Sequence, residues 1–238
     1  MAGYRLVLWD VDHTLIASGG VGSSISQQAF LAVTGRRQEY HPNVSGRTER
    51  AILAESCRLH GLDPDDYRFD DYADALAQGY LRRAGELRER GQALPGATNI
   101  LAATARLEGV RQTVVTGNVR RVAEIKLQVF GLDRHIDFDL GGYAEDSDVR
   151  ADLVRTAYAR ATSADGLAYG IQESLVIGDT PSDIEAAHLA GAVALGVATG
   201  RTSAAELLDV GADAVVVDLA DTDCVVEMIR DGVEPAAS

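Results

Sequence analysis

The chain has 238 residues, 46% of them hydrophobic, which suits one large domain or one domain carrying a smaller insertion. Asp and Glu number 36 against 22 Lys and Arg, and the resulting charge of −14 repels phosphate backbones and argues against general nucleic-acid binding. There is no apolar run of the roughly 18–20 residues a membrane span needs, no charged segment leading into a signal-like apolar core, and no metal or disulfide spacing between Cys57 and Cys224, so a cytoplasmic protein without membrane contact is expected.

The first predicted strand is "YRLVLWD", which ends on Asp10 with Asp12 two residues on. From about Ser18 to Gly91 no strand pattern occurs. Phe69, Tyr72, Ala73, Leu76 and Tyr80 instead follow helical spacing, Leu53 shares a face with Cys57, and Ile52 shares one with Leu59. This interval reads as an all-helical insertion, entered at "SGGVGSS" and left at "GQALPGA". After it come Ile100, Thr104 and Leu107 at helical spacing, the strand "RQTVVTG", a helix marked by Val122, Ile125 and Val129, and a strand "IDFDL" from Ile136. A helix follows on Leu153, Val154, Ala157, Tyr158 and Ala161. Then come strands "ESLVIGD", "AVALGV" and "DAVVVDL", with a capping box at Ser203 and Glu206. Alternating strands and helices predict a Rossmann-like, doubly wound parallel sheet with a helical cap inserted at 18–91 between core segments 1–17 and 92–238.

Ligands of such sheets lie at the carboxyl ends of the strands. Three polar motifs fall there: "DVDHT", "TGN" and "GDTPSD". Each has a plain structural use, since Thr180 can cap a helix whose first residue is Pro181. Together they put acidic and hydroxyl groups on one edge, where a hard cation held by Asp10 and Asp179 would relieve the repulsion and attract a phosphate.

"DVDHT" resembles the first motif of the haloacid dehalogenase-like hydrolases, "VVTGN" the second and "VIGDTPSD" the fourth. The insertion resembles the helical cap of their phosphoglycolate phosphatase-like branch, with "VSGRTERAIL" similar to its substrate-facing segment. The ordered resemblance runs to about Leu219. It implies a phosphomonoester hydrolase acting on a small phosphorylated metabolite, as a monomer or homodimer. Asp10 would be the nucleophile forming an aspartyl phosphate, and Asp12 the acid and then the base. Mg2+ would be held by Asp10, the Asp12 carbonyl and Asp179, with Asp183 close by. Thr116 and the amides of Gly117 and Asn118 would hold phosphate oxygens, beside Thr14, while Gly46 and Arg47 would reach the leaving group from the cap.

Two departures stand out. His13 takes a place where glycine or aspartate is usual, and the Lys-Pro common before the third-motif helix is missing from "EDSDVRADLV". Lys126 or Arg150 could supply that cation. The resemblance favours Lys126, from its "KLQVFGL" context, and the expectation is an ammonium within reach of Asp10 or of the phosphate. The rival readings are a phosphomutase of the β-phosphoglucomutase type, a phosphate-binding regulatory module without turnover, and a metal-independent dehalogenase. Asp12 argues against the last.

Overall fold

The computed structural model describes residues 4–166 and 169–233. The chain begins with β1 (Leu6–Trp9) and a two-residue β2 (Ile16–Ala17), followed by α1 (Val21–Thr34), α2 (Glu49–Leu59), α3 (Phe69–Arg82), α4 (Ala84–Arg90) and β3 (Gln92–Ala93). Next are α5 (Ala97–Thr104), β4 (Arg111–Val114), α6 (Arg120–Val129), α7 (Arg150–Asp165) and β5 (Ser174–Gly178). The last part runs through α8 (Pro181–Ala190), β6 (Val193–Val197), α9 (Ala204–Asp209), β7 (Ala214–Val216) and α10 (Thr222–Asp231).

Five strands form a parallel sheet in the order β4-β1-β5-β6-β7. Alternation along β1 explains why it carries no polar face. Val7 and Trp9 pack beneath α5, α6 and α10, and Leu6 and Leu8 beneath α7 and α8. β1 is followed in the core by α5, on the first face, and β5 by α8, on the second. The gap between the carboxyl ends of β1 and β5 is therefore where the connections part, and Asp10 and Asp179 flank it.

The insertion is all helical among its described residues, and its two ends lie side by side. β2 pairs antiparallel with β3, Ile16 facing Ala93 and Ala17 facing Gln92. Its apolar cluster of Ile25, Phe30, Leu53, Cys57, Tyr72, Leu76 and Tyr80 continues onto Val122 and Ile125 of α6. The helical part is thus seated on one core helix by buried apolar surface.

Three sequence expectations differ from the structure. "IDFDL" is not a strand. It forms a tight turn at Phe138–Leu140, closed by the Asp137 carboxylate accepting from the Asp139 amide at 3.2 Å; the Asp137 amide donates to the Gln112 carbonyl of β4 at 3.2 Å, and Gly142 pairs with Val115 as an isolated bridge just past β4. An aspartate that can bond the backbone two residues on competes with the ladder at a sheet edge. Ile52 is buried but Leu59 is exposed, because α2 ends there and the seam follows Leu53 and Cys57. The amphipathic α10 has no counterpart in the sequence reading. Its Val225 and Ile229 are fully buried, and the Ile229 carbonyl accepts from the Tyr4 amide at 2.9 Å. No helix among the described residues is long and apolar enough to cross a membrane.

Candidate active site

Asp10 still belongs to the sheet, its amide donating to the Ile177 carbonyl at 2.9 Å. The chain then turns sharply: the amides of Leu15 and Ile16 both donate to the Val11 carbonyl, and His13 sits in the left-handed region at φ 64°. That conformation accounts for the usual glycine or aspartate at this position, and histidine is among the residues that also enter it. The turn is held from outside by the Thr199 hydroxyl, which donates to the His13 carbonyl at 2.5 Å. Its consequence is that the Asp10 and Asp12 carboxylates, which would share one face of a strand, enter different surroundings.

Asp10 faces Asp179 and Asp183. Their carboxylate oxygens lie within 4.8 Å of one another, and all three residues are buried. The Arg150 guanidinium reaches them from the start of α7, donating to Asp10 Oδ1 at 2.7 Å and to Asp183 Oδ1 at 2.5 and 2.8 Å. The Thr14 hydroxyl lies 3.4 Å from Asp10 and 3.5 Å from Asp179. The other oxygen of Asp183 accepts from the amide and hydroxyl of Thr180, so Asp183 also completes the capping box of α8.

Asp12 turns the other way. Its Oδ2 accepts from the Lys126 ammonium at 2.6 Å and from the Asn118 amide at 2.8 Å, while Asn118 Oδ1 accepts from Lys126 at 2.7 Å. Lys126 is only 3% exposed, which excludes a solvated helix face.

Charge explains the proton affinities. Burial, with the charges of Asp183 and Asp12 beside it, raises the Asp10 carboxyl to about 7 despite Arg150. Burial and the neighbouring Asp10 and Asp183 raise Asp179 to about 8. Burial also acts upward on Asp12, but Lys126 and Asn118 overcome it and hold its carboxyl below the usual range. The first group is an all-oxygen donor set short of positive charge, which is what a small hard cation such as magnesium requires.

The expected residues therefore divide. Thr116 is buried beside Asn118, its oxygen accepting from the Asn118 backbone and side-chain amides at 3.3 and 2.8 Å; its own proton has no acceptor among the described residues. Asn118 spends its side chain on Asp12, Thr116 and Lys126 rather than facing a ligand. The Gly117 carbonyl accepts from the Glu49 amide at 2.7 Å, joining the second motif to the start of α2. Gly46, at φ 66°, packs on the α8 turn, where a Cβ would stand 2.5 Å from that of Ser182. Two assignments change. The cation on Asp10 is Arg150, and Lys126 serves Asp12 instead. The Arg47 guanidinium does not enter the site: it pairs with Glu55 at 3.0 Å and reaches the Ala51 carbonyl at 3.3 Å.

Two residues of the site escaped the sequence reading. A Cβ at Gly200 would overlap the Asp179 carboxylate, so only glycine lets the loop after β6 close on it. Glu49 is half-buried near Lys126, Asp12 and Tyr72, and burial raises its carboxyl to about 7. A signal for Glu49 was its place inside the quoted "VSGRTERAIL", two residues after Arg47, on the only segment of the insertion read as facing the site.

Comparison with known proteins agrees with this architecture. A sequence model of the haloacid dehalogenase-like hydrolases matches residues 7–188, and the chain belongs to that family. It is therefore an enzyme of the hydrolase class. Similar solved structures include a hydrolase from Pseudomonas syringae, with 23% identity over 95% of this chain and 99% of that one at a TM-score of 0.66. A predicted phosphatase from Clostridium acetobutylicum has 18% identity, 97% and 100% coverage and a TM-score of 0.66. A predicted phosphoglycolate phosphatase from Haemophilus somnus 129PT has 19% identity, 94% and 99% coverage and a TM-score of 0.61. At these identities the likeness establishes the shared fold. No curated protein sequence matches the chain.

Proposed function

We propose that this hydrolase is a magnesium-dependent phosphomonoesterase acting on a small phosphorylated metabolite through an aspartyl phosphate on Asp10. The observation that carries the reading is the separation of Asp10 from Asp12: one carboxylate lies in the cation-poor cluster with Asp179 and Asp183, the other on Lys126 and Asn118. Two displacements need two such groups, a nucleophile and a proton carrier.

Asp10 attacks phosphorus, its oxygen forming the new bond as the ester oxygen leaves. Asp12 gives that oxygen its proton, then takes one from the water that attacks phosphorus and frees Asp10. Lys126 keeps the resting Asp12 ionised, which suits the second step. The negative charge of an incoming phosphate opposes that effect and helps Asp12 hold the proton the first step needs. Thr116 has a hydroxyl proton to offer a phosphate oxygen. Magnesium, held by Asp10, Asp179 and the Asp12 carbonyl with Asp183 alongside, would neutralise charge on the transferring group. Arg150 holds Asp10 and Asp183 in place. Residues 18–91 act as the cap over a core of 1–17 and 92–238.

The test is phosphate release from a panel of phosphomonoesters, with magnesium and with chelator. We expect metal-dependent release, and a loss of at least about 10⁴-fold in Asp10→Asn, the scale on which removal of a nucleophile is felt. Near-normal release by a folded Asp10→Asn protein would refute the mechanism.

A further inference from the structure

We infer that the helical insertion offers the leaving group a hydrogen-bond-accepting subsite built on Glu49, so that preferred substrates carry a hydroxyl or ammonium on the alcohol part and not a carboxylate or second phosphate. The inference rests on the phosphatase reading and narrows its substrate class.

Three insertion helices converge beside Asp12. Glu49 opens α2, and its amide, bonded to the Gly117 carbonyl at 2.7 Å, fixes it over the second motif. Tyr72 of α3 points its hydroxyl at the Glu49 carboxylate, 3.5 Å away, and shares a 2.9 Å hydrogen bond with Ser26 of α1. The Tyr80 ring lies 5.0 Å from the Lys126 ammonium, next to the carboxylate that would protonate the leaving oxygen. The groups around the departing alcohol are thus a carboxylate, hydroxyls and an aromatic face.

Positive charge nearby is already engaged. Lys126 serves Asp12 and Asn118. Arg47 pairs with Glu55. Arg50 donates to the carbonyls of Ala144 and Glu145 and stacks 4.2 Å from the Phe69 centroid. Arg83 holds Glu86 and Ser24. Glu49 itself has no ion pair among the described residues. An acidic residue in a first helical turn also favours the helix dipole, but that benefit is available in solvent. Here burial raises the carboxyl to about 7, a cost a donating ligand would offset. A second anion would instead meet Glu49 with no free cation beside it.

The experiment compares kcat/KM for O-phosphoethanolamine, glycerol 3-phosphate and 2-phosphoglycolate in the full-length wild type, Glu49→Gln and Tyr72→Phe. Binding of the same esters to Asp10→Asn is measured by calorimetry. We expect the better donor-bearing ester to exceed phosphoglycolate by about ten- to a hundredfold, the worth of one hydrogen bond to a charged group. Glu49→Gln should shrink that ratio, and Tyr72→Phe should shrink it less. A loss confined to phosphoethanolamine identifies an ammonium ligand, a loss confined to glycerol 3-phosphate a hydroxyl, and equal losses on both a subsite that accepts from either donor. Phosphoglycolate used as well as the others, or a ratio unmoved by Glu49→Gln, overturns the inference and leaves the phosphatase reading standing. Absence of phosphate release from every ester would overturn both.

Discussion

Asp10, Asp179 and Asp183 share one guanidinium, whereas Asp12 has an ammonium largely to itself. Both groups sit at the same end of the sheet, the first buried and Asp12 half-buried, yet their proton affinities move in opposite directions. Burial acts the same way on each, so the difference lies in the number of cations. A surplus of carboxylates makes a place for a metal; a matched pair makes a poised proton carrier.

The sharpest way to break the contrast is to remove each cation in turn. Lys126→Met leaves the Asp12 carboxylate without its main partner. We expect a loss of about 2 kcal/mol, below the range for breaking a fully buried pair because Asp12 is half-buried. The limb of the pH–rate profile that reports Asp12 should also move to higher pH, since the group that lowers its affinity for protons is gone. Arg150→Met should lose stability mainly without metal, because a bound divalent cation replaces the missing charge. Thermal melts with and without magnesium check both, and equal magnesium dependence in the two variants would contradict the contrast.

Without metal, the acid-rich cluster should be visible in the stability curve. Asp10 and Asp179 bind protons more tightly folded than unfolded, about 7 and about 8 against an ordinary 3.8. Their contribution is complete below about pH 4 and is lost as pH rises through 7 to 8. The metal-free Tm should therefore fall by several degrees between pH 6 and pH 8.5, and magnesium should flatten the slope. A metal-free protein whose Tm does not fall over this range would mean that the cluster is ionised from the start.

Gly200→Ala adds a methyl group where the Asp179 carboxylate lies. Magnesium affinity measured by calorimetry should weaken by about tenfold, the scale of losing a ligand's support, while Asp12 and its pH limb stay unchanged. The smallest effect is expected at Thr48, whose hydroxyl caps α2 by accepting from the Ala51 amide at 3.2 Å and lies 3.4 Å from the Asp148 carbonyl. Thr48→Ala should cost about 1 kcal/mol in denaturant unfolding.

The fold was largely legible in the sequence. Apolar strands ending in aspartate or threonine, with helical spacing between them, leave little choice but a parallel sheet with its chemistry at one edge. The seam of α3 on Phe69, Tyr72, Leu76 and Tyr80 and the capping boxes at Thr180 and Ser203 are local patterns, and they formed as their spacing requires. "IDFDL" misled because a short apolar run with aspartates suits a strand and a turn equally, and the neighbouring β4 edge decided between them.

Side-chain pairing was a different matter. Lys126 meets Asp12 across 114 residues and Arg150 meets Asp10 across 140. At such separations the order of residues says which groups exist, not which of two cations reaches which of two carboxylates. Arg47 lies in the loop just before α2, and Glu49, two residues on, is the first residue of the helix. The sequence offered both, and the docking of α2 on Gly117 turned the carboxylate inward and left the guanidinium with Glu55. Periodicity and strand-end chemistry act over a few residues, so the sequence alone determined the layered fold and the edge that carries Asp10, Asp12, Asp179 and Asp183. Which charge neutralises which depends on ångström distances between elements packed from opposite ends of the chain, and only the tertiary structure decides it.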